Sequence, residues 1–237
     1  LKLKERIVNL IYPPRCPLCD TLMPKGPGLI CLNCSQKRQY ITSTICLKCG
    51  KPILESENNL CNDCTNRKHY FDRGWAVFVY DNQIKKSLYR FKYGNRAEYA
   101  QYYANQIYER YNHLMMNLGI DALIPVPIHR AKMSERGYNQ AEEIASVLGR
   151  KLKIPVYSKL LIRTTNTRPQ KLLSVQEREN NLKKAFKIGE YDVKLNTIMV
   201  VDDIYTTGAT MDAMAKVLRA AGIKKIYYIV VAIGEYN

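Results

Sequence analysis

"VVDDIYTTGAT", residues 200–210, is the stretch on which the fold turns. Two β-branched apolar residues run into adjacent acids, Asp202 and Asp203. A small hydroxyl-and-glycine loop follows, and "MDAMAKVLRAAG" continues as a helix closed by Gly222. In open parallel sheets, ligands bind beyond the carboxyl ends of strands, which is where the two acids are expected. Thr206, Thr207 and Thr210 offer hydroxyls, while Gly208 and Ala209 let backbone approach a ligand closely. The helix start supplies free N–H groups and partial positive charge suited to a phosphate. The carboxylates cannot ligate a phosphate, but they can accept hydrogen bonds from vicinal hydroxyls. The pattern therefore describes a sugar 5-phosphate, with ribose over Asp202 and Asp203 and phosphate in the loop Thr206–Thr210. No G-K-[ST] and no G-x-G-x-x-G is present, so this is neither a Walker A loop nor a dinucleotide fingerprint.

Working outward, strands and helices alternate from residue 120 onward. "IDALIPVP", a strand within "IPVYSKLLIR", "TIMVV" and "KIYYIVVAIG" read as strands. "NQAEEIASVLGRKL", "LSVQERENNLKKAF" (capped by Ser174, with Glu177 three residues on) and 209–221 read as helices. Unbroken apolar strands alternating with helices predict an α/β fold with a parallel sheet covered on both faces. "WAVFVY" (75–80) is a further strand, and the segment from Ile84 to Tyr111 reads as one or two helices broken near Gly94. Residues 1–12 predict a short amphipathic helix stopped by Pro13 and Pro14, either packed on the protein or resting on a membrane surface.

All eight cysteines fall between 16 and 64, as four C-x-x-C pairs each beginning fifteen residues after the last: Cys16/Cys19, Cys31/Cys34, Cys46/Cys49 and Cys61/Cys64. A two-residue gap turns both thiolates toward one tetrahedral ion, and two such turns close a four-cysteine zinc site. Four pairs predict two structural zinc ions. Sequential pairing places Cys16, Cys19, Cys31 and Cys34 on one ion and the other four on the second; the equal gaps also permit a crossed arrangement. The expected organisation is a short helix and double zinc ribbon over 1–70, then the α/β domain over 71–237.

At 46% hydrophobic and 24% charged residues, the composition excludes a disordered chain. No run approaches the roughly eighteen apolar residues of a spanning helix. The start "LKLKERIVNLIYPP" carries an acid within its apolar patch and no small-residue cleavage site, so it does not read as a signal peptide. The expected location is the cytoplasm, where disulfides are disfavoured. The formal net charge is +16; two four-thiolate zinc sites would bring it to about +12. Such a balance favours polyanionic partners, nucleic acid before anionic lipid. Lys85, Lys86, Arg90, Lys92 and Arg96 are interleaved with Tyr89, Tyr93 and Tyr99. That stretch is either a single-strand surface that stacks bases and neutralises phosphates or half-buried helix packing.

The loop over 200–210 resembles the phosphoribosyl-pyrophosphate (PRPP) loop of type I phosphoribosyltransferases. "IPVPIHRAKMSERGYNQAEEIA", "RTTNTRPQKLLSVQERENNLKKAF", "YPPRCPLC" and the four C-x-x-C pairs resemble the ComF family of competence proteins. The resemblance spans nearly the whole chain. It implies a Rossmann-like, parallel-sheet type I phosphoribosyltransferase domain preceded by a small double zinc ribbon. It also implies a role in natural transformation at the cytoplasmic end of single-stranded DNA import. Asp202 and Asp203 would hold the ribose hydroxyls and are the candidate catalytic carboxylates. Thr206, Thr207, Gly208, Ala209 and Thr210 would hold the 5-phosphate. Arg130 and Lys132, in the loop from Pro127 to Lys132, and Arg168 with Lys171, in a mobile loop over 163–174, would meet pyrophosphate. Arg136, Asn139 and Gln140 match the family signature, in a binding or a structural role. Magnesium would enter with PRPP. The implied partners are PRPP, single-stranded DNA and the import machinery (competence helicase and membrane channel), with at most peripheral membrane contact at the inner face. Many purine phosphoribosyltransferases have an Asp where this chain has Thr206, and no base-recognition hood is visible. Two readings therefore stand: a competence factor using the fold to bind ligand, or an active transferase on an unidentified acceptor in nucleotide salvage or biosynthesis.

Overall fold

The computed structural model describes residues 13–23, 26, 28–37, 40–53, 59–165, 185–189 and 191–234. The helix expected over 1–12, the cap Ser174, and Arg168 and Lys171 lie outside these residues. Among the described residues, no helix is long and apolar enough to cross a membrane.

Among the described residues, six strands form two sheets. The main sheet is parallel, in the order β1 (Arg73–Val79), β6 (Lys225–Ile233), β5 (Thr197–Tyr205), β2 (Ala122–Pro125). β6 is central, and its run "YYIVVAI" meets the apolar requirement of a strand covered on both faces. A parallel bridge from Leu123 to Val156 protects the free edge of β2. The second sheet pairs β3 (Leu161–Arg163) with β4 (Phe186–Ile188) in antiparallel fashion. Phe186 was expected to end a helix; it opens β4 instead, where its side chain is buried.

The side chains of β5 alternate between two cores, as strand geometry demands. Ile198 and Val200 face one layer, with Met214, Ala215 and Leu218 of α7 (Ala209–Ala220). Met199 and Val201 face the other. That second layer holds α3 (Asn82–Tyr93), α4 (Tyr99–Asn117) and α6 (Gln140–Leu152). Two of these helices have a local reason to start or stop. Asp81 accepts a hydrogen bond from the amide of Ile84 at the N-terminus of α3, and Gly94 ends that helix. Asn139 accepts from the amide of Ala141 to begin α6. Tyr99, Tyr102 and Tyr103 are wholly buried, so this face of α4 is core.

The cysteine-rich stretch divides between the two layers. Cys16, Leu18 and Cys34 pack with the α3/α4 layer, whereas Cys46, Cys49, Ile53 and Cys61 pack with the α7 layer. In each half the first cysteine pair lies in a hairpin turn, closed by the bridges Arg15–Leu22 and Ile45–Pro52. The second pair straddles the start of a short helix, α1 (Leu32–Lys37) or α2 (Asn62–Asn66): its first cysteine directly precedes the helix and its second lies within it. The second hairpin is docked on β1: the Gly74 amide donates to the Lys48 carbonyl at 2.9 Å. A Cβ on Gly50, which has φ +74°, would sit 2.6 Å from the Gly74 carbonyl oxygen. A Cβ on Gly74 would land in the ring of Tyr228, which is fully buried and has nowhere to move. Gly74→Ala is therefore expected to destabilise the protein by about 3 kcal/mol through overpacking, read as a lowered midpoint in chemical denaturation.

Candidate ligand cleft and metal centres

The sulfurs of Cys16, Cys19, Cys31 and Cys34 lie within 4.8 Å of one another, and so do those of Cys46, Cys49, Cys61 and Cys64. The pairing is therefore sequential. The Cys19–Cys31 and Cys49–Cys61 sulfur separations are both 3.6 Å, close to the roughly 3.8 Å edge of a tetrahedron with zinc–sulfur bonds of about 2.3 Å. Thiols this close cannot all ionise unaided. Burial and the neighbouring Cys19 and Cys31 push Cys34 up, and Cys46 and Cys49 push Cys64 up. A divalent cation removes that conflict, so the donor set fits zinc. It would hold each hairpin turn against its helix where little apolar core exists.

The second site lies at the carboxyl end of the main sheet. β2 pairs with β5 only as far as Pro125, opposite Val201, whereas β5 stays paired with β6 as far as Tyr205. Asp202 and Asp203 thus lie within the strand and not beyond it, on a length of β5 whose β2 side is open. The opening is a cleft of about 150 Å³, lined by Asp202, Asp203, Thr210 and Lys132 together with Lys92, Arg136, Asn139, Gln140 and Arg163. Successive strand residues point to opposite faces. Asp203 turns toward α3, where its Oδ2 meets Lys92 Nζ at 2.5 Å. That contact is one of charge; by hydrogen-bond geometry Oδ2 has no aligned donor among the described residues. Asp202 bonds the Asp203 amide at 2.8 Å.

The comparisons with known proteins match this architecture. Residues 7–65 match the double zinc ribbon domain. Competence protein F of Haemophilus influenzae is 28% identical over 220 residues, covering 90% of this chain and 93% of that protein. The DNA utilization protein YhgH of Escherichia coli is 29% identical over 216 residues, covering 90% and 94%. Competence protein ComFC of Bacillus subtilis is 28% identical over 229 residues, covering 87% and 89%. These likenesses support the resemblance to the ComF family of competence proteins.

The R-G-x-N-Q signature is a brace around the cleft. Arg136 ends α5 (Arg130–Arg136), and Gly137 takes the left-handed φ of +77° that terminates it. The Arg136 guanidinium donates to Gln140 Oε1 at 2.9 Å and to the Tyr93 hydroxyl at 2.8 Å. The Tyr138 hydroxyl bonds the Phe91 carbonyl. Asn139 caps α6 while its amide donates to the Val126 carbonyl at 3.0 Å. The signature thus ties the end of β2 to α3 and α6 while turning Arg136 and Gln140 into the cleft.

The segment Pro127–Lys132, expected as a loop, becomes helical from Arg130. Lys132 lines the cleft; Arg130, in the first turn of the same helix, is exposed and outside it. Thr206 and Thr207 are exposed beside the cleft, and Gly208 is buried with φ +76° as the residue before α7. Lys92, Arg163 and the inward turn of Arg136 were not assigned from sequence. For Lys92 a signal existed: it follows Ile84 and Leu88 at i+8 and i+4, on the buried stripe of α3. The stretch read as a single-strand surface is therefore split. Lys92 is in the cleft, Tyr99 is core, Arg90 bonds the Leu18 carbonyl, and Arg96 pairs with Asp20. Lys85, Lys86 and Tyr89 remain at the surface, Tyr89 with 65% exposure.

The electrostatics are asymmetric. Burial and the adjacent Asp203 carboxylate push Asp202 up to about 8. Burial would depress Lys92, but Asp203 outweighs it and holds the amine above its usual range. At the other end, burial and the neighbouring Arg163 and Arg136 push Lys132 down. One carboxylate is thus neutralised by a lysine, the other is pushed toward its protonated form, and Lys132 is crowded by the guanidinium groups of Arg163 and Arg136.

Two outcomes follow from these geometries. Elemental analysis should find two zinc ions per chain, and Cys61→Ser with Cys64→Ser should leave one. The Asp202 contribution to stability is present below about pH 4 and lost as the pH rises through about 8, because the folded state holds the proton longer than the unfolded one. Asp202→Asn should flatten that dependence and stabilise the ligand-free protein at pH 8 by about 2 kcal/mol, measured by denaturation at a series of pH values.

Proposed function

We propose that this protein binds PRPP, with magnesium, in the cleft at the end of β5, and that it serves DNA uptake in natural transformation on the cytoplasmic side. The names of its relatives, competence proteins and DNA utilization proteins, support the role in DNA uptake. One observation carries the ligand reading: paired carboxylates on an open strand edge lie between a phosphate-type loop and a cluster of mutually repelling cations. A ribose diol suits the acceptor oxygens of Asp202 and Asp203. A 5-phosphate suits Thr206–Thr210 and the N-terminus of α7. A pyrophosphate would relieve the repulsion among Lys132, Arg136 and Arg163. Among the described residues, the only groups of three or more metal-ligating side chains are the two cysteine clusters. Magnesium would accordingly be held largely by PRPP's own oxygens.

Transfer of the phosphoribosyl group to an acceptor is the second reading, and the same asymmetry favours it. Carboxylates by the sugar and cations by the pyrophosphate stabilise the charge separation that develops as the bond to the anomeric carbon breaks. Lys92 stands at the carboxylate end, supplied by α3, which follows β1 in the chain.

Calorimetry tests the ligand reading. Asp202→Asn with Asp203→Asn should weaken PRPP binding at least about tenfold, the loss of one or more charge-assisted hydrogen bonds, in a protein that remains folded. Unchanged affinity counts against the site. Release of pyrophosphate from PRPP only when a nucleobase or other acceptor is added selects the transferase reading.

Single-stranded DNA is proposed to run along the groove of about 300 Å³ lined by Asn82, Lys85, Lys86, Tyr89 and Arg90. Lys85→Ala with Lys86→Ala should flatten the salt dependence of binding by about 1 to 1.5 in log–log slope. Tyr89→Ala should weaken binding at every salt concentration by about 1–3 kcal/mol, the worth of one stacked base. Fluorescence anisotropy across a salt series reads both.

A further inference from the structure

The loop before α7 is held from behind by residues of the second cysteine cluster and the segment that follows it. His69 lies five positions after Cys64, and its side chain is 1% exposed. Its Nδ1–H donates to Asp212 Oδ2 at 2.8 Å, and the amide of Tyr70 donates to the other carboxylate oxygen at 2.8 Å. Asp212 is in the first turn of α7, its own amide bonded to the Gly208 carbonyl. The imidazole stacks on Phe71, with centroids 4.8 Å apart. Its Cε1 would lie 3.3 Å from a Cβ on Gly208, so the ring backs directly onto the glycine of the loop. Its Nε2 is buried and meets no hydrogen-bond partner among the described residues.

A second line of contacts reaches the start of the same loop. The Cys49 carbonyl accepts from the Tyr228 hydroxyl at 2.7 Å. Tyr228 stacks on Tyr205 at 5.0 Å with the rings 6° from parallel, and the Tyr205 hydroxyl also closes on the Cβ side of Gly208. The loop is thus gripped at Tyr205, Gly208 and Asp212 by groups carried on or against the cluster of Cys46, Cys49, Cys61 and Cys64. The first cluster touches a different wall. Leu18 accepts from Arg90 and Asp20 from Tyr99, which places it against the helix that carries Lys92.

We propose that His69 is a positioning residue for the phosphate loop, and that the metal of the second cysteine cluster sets the conformation of Tyr205–Asp212 through His69 and the Tyr228–Tyr205 stack. Phosphate capture at Thr206–Thr210 is thereby dependent on the second cluster and independent of the first; this consequence rests on the phosphate reading of that loop. The cluster acts as a rigid block behind the loop. Without the His69–Asp212 bond the Asp212 side chain keeps only the Tyr70 amide, and the ring no longer backs onto Gly208 beside the exposed Thr206 and Thr207.

Hydrogen exchange on the full-length, zinc-loaded, ligand-free protein decides the proposal. His69→Ala should raise exchange of the 206–212 amides about tenfold, as expected for loss of one bond to a charged group, and leave 123–126 unchanged. His69→Asn, whose side-chain amide can take the place of Nδ1–H, should restore protection. Affinity for ribose 5-phosphate should fall with His69→Ala, while affinity for inorganic pyrophosphate should not. Unchanged exchange at 206–212 in a folded His69→Ala protein that retains two zinc ions overturns the proposal. If that variant does not fold, Asp212→Ala removes the same bond together with that from the Tyr70 amide; exchange at 206–212 should then rise at least as much, and unchanged exchange overturns the proposal. Should the wild-type protein take up no ribose 5-phosphate, the ligand reading fails, and the exchange result still decides the role of His69.

Discussion

The structure depends on where strand pairing stops. The Val126 amide donates to the Val201 carbonyl at 2.9 Å, and the next residue, Pro127, has no N–H to donate. β5 runs on beyond that point, held only by β6. Its unpaired edge carries Asp202 and Asp203 into an opening that β2 would otherwise fill. The cleft follows from this unequal length, and the residues that reach it come from whichever elements end at the same level: α3, α5, α6 and β3.

The carboxylates on that edge have different partners because a strand sends neighbours to opposite faces. Asp203 turns toward α3 and meets an amine buried with it. Removing either partner of such a pair leaves an uncompensated charge, so the contact is costly to break whether or not it adds net stability. Asp202 has no comparable neutralising partner and feels Asp203 beside it, which keeps its proton on. The ligand-free cleft is therefore held in a tense arrangement, with acids suppressed at one end and cations crowded at the other. A ligand with hydroxyls at one end and phosphates at the other would relieve both.

The cysteine-rich halves have too little apolar surface to fold on their own cores. Each uses metal-ligand geometry for its turn and borrows burial from the sheet, one on each face. Gly50 and Gly74 show how close that docking is: backbone meets backbone, with no space for a Cβ. Placed on opposite faces, the two clusters support opposite walls of the same cleft.

The sequence alone determined whatever depends on residues a few positions apart. C-x-x-C spacing specifies a thiolate turn. Asn139 before an apolar helical stripe specifies a helix start, and "VVDDIYTTGAT" specifies strand, loop and helix in order. These are local constraints of reach and periodicity, and they were legible. The same locality misled at Phe186, where a helical pattern yields to pairing with β3, and it left the stretch around Lys92 open between a surface and half-buried packing. Tertiary structure alone decided which cysteine pairs share a cluster, which acid acquires a counter-ion, and that His69 braces a helix 143 positions away. Those outcomes depend on which elements end side by side in space. In the buried cleft, where water cannot screen or replace a partner, that adjacency decides which charges are kept.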